Sequence, residues 1–219
     1  MTARLLRSGA PASRARAGLV LVHGRGGSGA EIAPLADALG LPDLAVVTPE
    51  HPARSWWPTS FLAPHAQMVG PLGAGLVAMA EAVALLEAEG LPRSAIAVAG
   101  FSQGACLAVE YAARSGAGLA GAFGLSGALV GTGDAVISGT APALYGFSEK
   151  QFAYDSDLVD LPVYLSVHAQ DPHIPLARTR RSAEVFEALG AKTDTYVAPG
   201  AGHGLLAEDV TALRGLLNR

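Results

Sequence analysis

Short apolar runs recur along the chain at residues 18–22, 44–47, 95–99, 119–125, 161–167 and 195–197, each rich in valine, leucine, isoleucine or alanine. They are short for helices and do not alternate apolar with polar, so each predicts a strand buried on both faces. Between them the apolar period lengthens to that of a helix. Leu72, Leu76, Met79, Val83 and Leu86 fall on one stripe, with Pro71 near its start and Gly90 just past its end. Leu206, Val210, Leu213 and Leu217 repeat the pattern near the C-terminus. Ile32, Leu35 and Leu39 follow a Ser28-x-x-Glu31 capping-box signature.

Strands alternating with helices predict an α/β class, a mainly parallel sheet with helices on both faces, in which ligands gather at the carboxyl ends of the strands. One stretch departs from the alternation. Residues 128–160 carry no clear apolar period yet hold Tyr145, Phe147, Phe152 and Tyr154. An insertion of this length either covers a site or packs its own aromatics at the surface. Residues 1–17 include Arg4, Arg7, Arg14 and Arg16 and no acidic residue, and are read as a flexible or edge-strand N-terminus. The run at 18–22 is too short for a signal-peptide core or a membrane span, so a cytoplasmic location is expected.

Length and composition narrow the field further. With 219 residues, half of them hydrophobic and 16% charged, a single domain over 1–219 with a full core is expected. A net charge of −4 without a basic run argues against nucleic acid and anionic membranes. The expected partner is a small-molecule ester, with no nucleic acid and no stable membrane insertion; a homodimer is compatible with the sequence. Cys106 is the only cysteine, which excludes an internal disulfide framework. No metal-ligand spacing or cofactor fingerprint occurs, so no cofactor and no metal are expected.

The candidate chemistry begins where the strand at 95–99 runs into Gly100-Phe101-Ser102-Gln103-Gly104, directly before an Ala-rich helical stretch at 105–113. A sharp strand-to-helix turn lifts a serine hydroxyl clear of the sheet, and the residues two before and two after must be small. Ser102 is therefore the candidate nucleophile. A serine hydroxyl needs a base, most often histidine, and in this arrangement nucleophile, acid and base follow in chain order. Of the downstream histidines, His203 lies among glycines between the last strand and the last helix. His168 ends an apolar run and reads as core, and His173 stands two residues beyond the candidate acid. That acid is Asp171, just after the strand at 161–167; Asp155, Asp157 and Asp160 lie upstream as rivals. Two backbone N–H groups must meet the oxyanion. Those of Gln103 and of Arg25, in the loop His23-Gly24-Arg25-Gly26-Gly27 after the first buried strand, are the candidates.

These four motifs in order resemble the α/β-hydrolase superfamily, and more narrowly its carboxylesterase and phospholipase branch with the acyl-protein thioesterases. Val22-His23-Gly24-Arg25-Gly26 resembles the branch's early His-Gly loop, and Gly100 to Gly104 its elbow. Asp171-Pro172-His173-Ile174-Pro175 resembles its acid loop, and Gly202-His203-Gly204 its histidine loop. The resemblance implies a single-domain α/β-hydrolase fold with a minimal cap. It also implies cofactor-free ester hydrolysis through an acyl-Ser102 intermediate, on small or medium acyl esters or alternatively on lysophospholipids or acyl-protein thioesters. A sensor that keeps the triad for binding is the reading from another class. Trp56, Trp57 and Phe61 occupy the segment where the branch often places pocket aromatics. Arg25 stands where relatives commonly carry a small apolar residue, facing either an anionic substrate group or solvent.

Overall fold

The computed structural model describes residues 3–138 and 146–218; Tyr145 lies outside them. Seven strands form one sheet in the order β1-β3-β2-β4-β5-β6-β7. The strands are β1 (Arg4–Gly9), β2 (Ala17–Val22), β3 (Leu44–Glu50), β4 (Ile96–Phe101), β5 (Gly121–Leu125), β6 (Pro162–Gln170) and β7 (Lys192–Ala201). All neighbours pair in parallel except β1, which runs antiparallel along β3 from Arg4↔Glu50 to Gly9↔Ala45. The N-terminal arginine-rich segment thus supplies an edge strand.

Five helices cover the sheet: α1 (Gly29–Ala38), α2 (His65–Ala88), α3 (Gln103–Ser115), α4 (Leu176–Ala188) and α5 (Ala207–Leu217). Strand side chains alternate between faces, and β2 shows the result. Leu19 and Leu21 pack with Ile32 and Leu35 of α1 and Leu213 and Leu217 of α5. Val20 and Val22 pack with Met79 and Leu86 of α2, Leu107 of α3 and Phe186 of α4. Because both layers are dry, β2 must be apolar throughout, and burying a side chain of this size is worth roughly 1.5–3 kcal/mol.

Three sequence expectations are corrected. Helix α2 starts at His65, so Pro71 lies inside it rather than near its start. Its first turn is satisfied from elsewhere in the chain: Ala66 N–H donates to Asp134 Oδ1 (2.8 Å) and His65 N–H to Thr132 O (3.0 Å). By length and composition α2 could cross a membrane; here Met68, Leu72, Met79, Val83 and Leu86 are buried against the sheet layer. The Ser28–Glu31 capping box does not form. Ser28 Oγ bonds Glu31 Oε2 (3.0 Å), Glu31 pairs with Arg54, and Glu50 Oε2 caps Gly29 N–H (2.7 Å). Helix α4 was not legible as a helix, because Arg178, Thr179 and Ser182 face inward where a helix read by pattern needs apolar residues.

The insertion at 128–160 does not cover the sheet's active end. Residues 131–132 pair with 61–65: Gly131 N–H donates to Phe61 O (2.6 Å) and Thr132 N–H to Ala63 O (3.1 Å). Further along, the insertion clamps onto α3. Buried Glu110 accepts hydrogen bonds from Arg114 (2.6 Å), Tyr154 Oη (2.9 Å), Val130 N–H (3.1 Å) and Lys150 Nζ (3.3 Å). Lys150 Nζ also donates to Val130 O (2.8 Å), and Phe152 lies under Arg178 at 4.8 Å. Burial alone would push the Glu110 carboxyl upward, but the Lys150 and Arg114 charges and their hydrogen bonds outweigh it and hold the group below its ordinary range.

Candidate active site

Ser102 joins β4 to α3 with φ 55° and ψ −119°, a conformation that costs a non-glycine residue on the order of 1–3 kcal/mol. Its surroundings enforce it. Ser102 N–H donates to Leu125 O of β5 (2.9 Å), while Ser102 O already accepts from Cys106 N–H (3.0 Å) as the first helical bond of α3. The glycines on either side answer a spatial demand. A Cβ on Gly100 would lie 2.3 Å from Gly104 O, and one on Gly104 would lie 2.4 Å from both Val22 O and His23 O.

The structure brings Ser102, His203 and Asp171 together. His203 Nε2 lies 2.8 Å from Ser102 Oγ, and His203 Nδ1 lies 2.8 Å from Asp171 Oδ2. With the carboxylate accepting from Nδ1–H, Nε2 is left to accept the serine proton. Asp171 Oδ1 accepts the backbone N–H groups of His173 (2.8 Å) and Ile174 (2.9 Å), so its own loop orients it. The rival acids sit elsewhere: Asp160 pairs with Lys192 (2.7 Å) and Asp157 bonds Val159 N–H (3.2 Å). His168 lies under the histidine loop. A Cβ at Gly202 would stand 2.6 Å from its Nε2, which explains the glycine before His203.

A cavity of about 530 Å³ opens onto Ser102, lined among others by Gly24, Arg25, Trp57, Phe61, Phe101, Cys106, His173 and Ile174. No described residue of 128–160 lines it. Trp56 does not line it either, contrary to the sequence reading. It is buried, its Nε1–H donates to His23 O (3.0 Å), and its ring stacks on His23 at 5.1 Å. Trp57 and Phe61 do form part of the wall. The Gln103 side chain pins that wall by donating to Trp57 O (2.8 Å) and accepting from Trp56 N–H (2.9 Å).

Arg25 does not extend into solvent: its guanidinium donates to Pro58 O (2.9 Å) and to Thr59 O, strapping the oxyanion-side loop to the cavity wall. Its backbone N–H stays in the loop after β2, and that of Gln103 in the first turn of α3, where a helix leaves N–H groups without partners.

Sequence reasoning gave His23 no individual role. It is buried, with Nδ1 bonded to Gly24 O (2.8 Å) and Nε2 accepting from His51 N–H (3.3 Å). Burial lowers its pKa, which favours the neutral ring these two bonds require. His23 thereby shapes the turn that brings Gly24 against the nucleophile, where a Cβ would lie 3.3 Å from Ser102 Cβ. His173 was weighed as a base, yet it lies at the cavity, its ring edge-on to His203 at 4.8 Å. Cys106 also faces the cavity; burial pushes its thiol up to about 12.

The comparisons with known proteins agree with this geometry. The phospholipase/carboxylesterase family matches over residues 9–218. A phospholipase/carboxylesterase from Dyadobacter fermentans is 32% identical, covering all of this chain and 97% of that one, with a TM-score of 0.84. At 20% identity, esterase PE8 (TM-score 0.71; all of this chain, 99% of that one) and a Mesorhizobium loti carboxylesterase (0.67; 99% and 93%) share the fold. No curated protein sequence matches the chain. With an α/β-hydrolase sheet and a family match over nearly its whole length, the chain belongs to the phospholipase/carboxylesterase family and is a carboxylic ester hydrolase.

Proposed function

We propose that the protein hydrolyses esters by a serine mechanism. The observation that carries this reading is the continuous hydrogen-bonded line from Asp171 through His203 to Ser102, with both links at 2.8 Å, ending at a cavity. Ser102 Oγ attacks the acyl carbon as His203 Nε2 takes its proton, and Asp171 stabilises the imidazolium. The N–H groups of Arg25 and Gln103 receive the negative charge that develops on the carbonyl oxygen. Collapse breaks the bond to the alcohol, which leaves with the proton from His203. Water, deprotonated by the same imidazole, then releases the acid from Ser102. Activity falls in acid, because a protonated His203 accepts nothing.

A cavity of about 530 Å³ lies within the roughly 300–1,000 Å³ range of small-molecule sites. Trp57, Phe61 and Phe101 give it an apolar wall suited to short or medium acyl chains. The test is Ser102→Ala against a chain-length series of p-nitrophenyl esters. Hydrolysis and fluorophosphonate labelling should both vanish, with the thermal midpoint unchanged within a few degrees. Labelling that survives in Ser102→Ala would refute the mechanism, and a rate that keeps rising to long acyl chains would favour lysophospholipid substrates.

A further inference from the structure

The cavity's charge is one-sided. Among the described residues that line it, Arg25, His173 and His203 can carry positive charge, and no carboxylate lines it, although the chain has 19 acidic residues against 15 lysines and arginines. Arg25 lacks the partner its neighbour has. Arg54 is neutralised by Glu31 at 2.8 Å, whereas among the described residues no carboxylate pairs with Arg25. The two carbonyls that hold its guanidinium, Pro58 O and Thr59 O, use two of its five N–H donors and leave its charge uncompensated.

His173 is placed by the reaction itself, if Ser102, His203 and Asp171 act as proposed above. His203 Nε2 must reach the departing oxygen at hydrogen-bond distance to protonate it. A side chain whose ring sits 4.8 Å from that of His203 therefore neighbours the leaving alcohol. The backbone of His173 is anchored to Asp171 Oδ1 at 2.8 Å. Among the described residues its ring makes no hydrogen bond. An imidazole donates in either charge state, so a free, anchored donor faces the alcohol half of the substrate, while Trp57, Phe61 and Phe101 form the apolar wall.

We propose that the natural substrates are esters whose alcohol portion bears an anionic group, a carboxylate or a phosphate, met by His173 beside the leaving oxygen in a cavity whose fixed charge is that of Arg25. The inference rests on the serine-esterase reading, and the experiment separates the two. Butyryl glycolate is compared with its neutral isostere butyryl glycolamide, and butyryl glycerol phosphate with monobutyrin, using p-nitrophenyl butyrate as the control ester.

The expected kcat/KM is at least about tenfold higher for the anionic member of one pair. That preference should shrink severalfold in 1 M salt and in His173→Ala, mainly through KM, with His173→Gln recovering part of it. The carboxylate and phosphate pairs show which anion is read. An anionic-to-neutral ratio of one or less in both pairs, with p-nitrophenyl butyrate still hydrolysed, overturns the proposal. A preference indifferent to both salt and His173 also overturns it. Failure on p-nitrophenyl butyrate itself overturns the serine-esterase reading instead. The salt series uses unaltered protein, so the proposal remains testable even where His173→Ala folds poorly.

Discussion

Asp171 and Glu110 are both fully buried carboxylates, one at the cavity and one in the clamp between α3 and the insertion, and they differ in what neutralises them. Glu110 is held by Arg114 and Lys150, with Tyr154 and Val130 completing its shell. Its charge is balanced by fixed cations, so the cluster has no proton to move and serves as a fastening. Asp171 has two backbone N–H groups and one imidazole, and among the described residues no lysine or arginine pairs with it. Under the proposed mechanism its charge is balanced only when His203 takes up the serine proton. A buried acid paired in advance stabilises structure, while one left waiting for its cation can stabilise a transition state.

This contrast predicts that substitutions at the two sites move different observables. The largest effect is expected for Asp171→Asn, which should lower kcat about 10³- to 10⁴-fold while the melting temperature stays within a few degrees. Steady-state kinetics beside a thermal melt checks it, and a variant that unfolds but retains kcat would merge the two sites. Glu110→Ala should do the reverse. It leaves Lys150 buried without its partner and costs about 3–5 kcal/mol, a drop on the order of 10 °C in melting temperature for a chain of this size, with kcat of the folded fraction retained.

The same carboxylate gives the comparison a pH axis. Because the folded Glu110 pKa lies below its unfolded value, about 4.3 for glutamate, its contribution is fully present above that value. It is lost as pH falls through the folded pKa. Melting of the unaltered protein should therefore lose an increment in acid that Glu110→Ala lacks, as differential scanning fluorimetry across pH 3–7 would show.

Smaller effects sharpen the boundary. Trp56→Phe removes the indole donor to His23 O and leaves that carbonyl short of a partner in a buried loop. The expected cost is about 1–2 kcal/mol, read by denaturant unfolding, with a modest fall in kcat/KM because His23 shapes the turn at Gly24. The smallest effect is expected from thiol reagents. With its pKa pushed up to about 12 by burial, Cys106 carries almost no thiolate near neutral pH, so iodoacetamide at pH 7 should leave activity intact over an hour. Rapid inactivation would show that the cavity floor is more open than described.

Much of this architecture was legible because it is local. The doubly apolar runs at 18–22 and 95–99 could be nothing but covered strands. The glycines at 100 and 104 flank a serine between a strand and a helix, and the order Ser102, Asp171, His203 follows from where strand ends must lie. Where the reading went astray, a distant partner had taken over. The start of α2 depends on Asp134, 68 residues away, and α4 is held by inward polar residues that only α3 and the insertion make tolerable. Trp56 and Trp57 are adjacent in sequence yet divided between core and cavity, because only one indole finds His23 O behind the loop.

The sequence by itself determined the sheet with its two dry layers and the elbow, since hydrophobic periodicity and steric need act within a few residues. Tertiary structure alone decided which groups meet. It put His203 between Ser102 and Asp171, strapped Arg25 to Pro58 and Thr59, turned the insertion into a clamp and brought His173 beside the base. Such contacts join residues tens of positions apart, and hydrogen bonds and ion pairs over that separation leave no period in the chain for a reader to find.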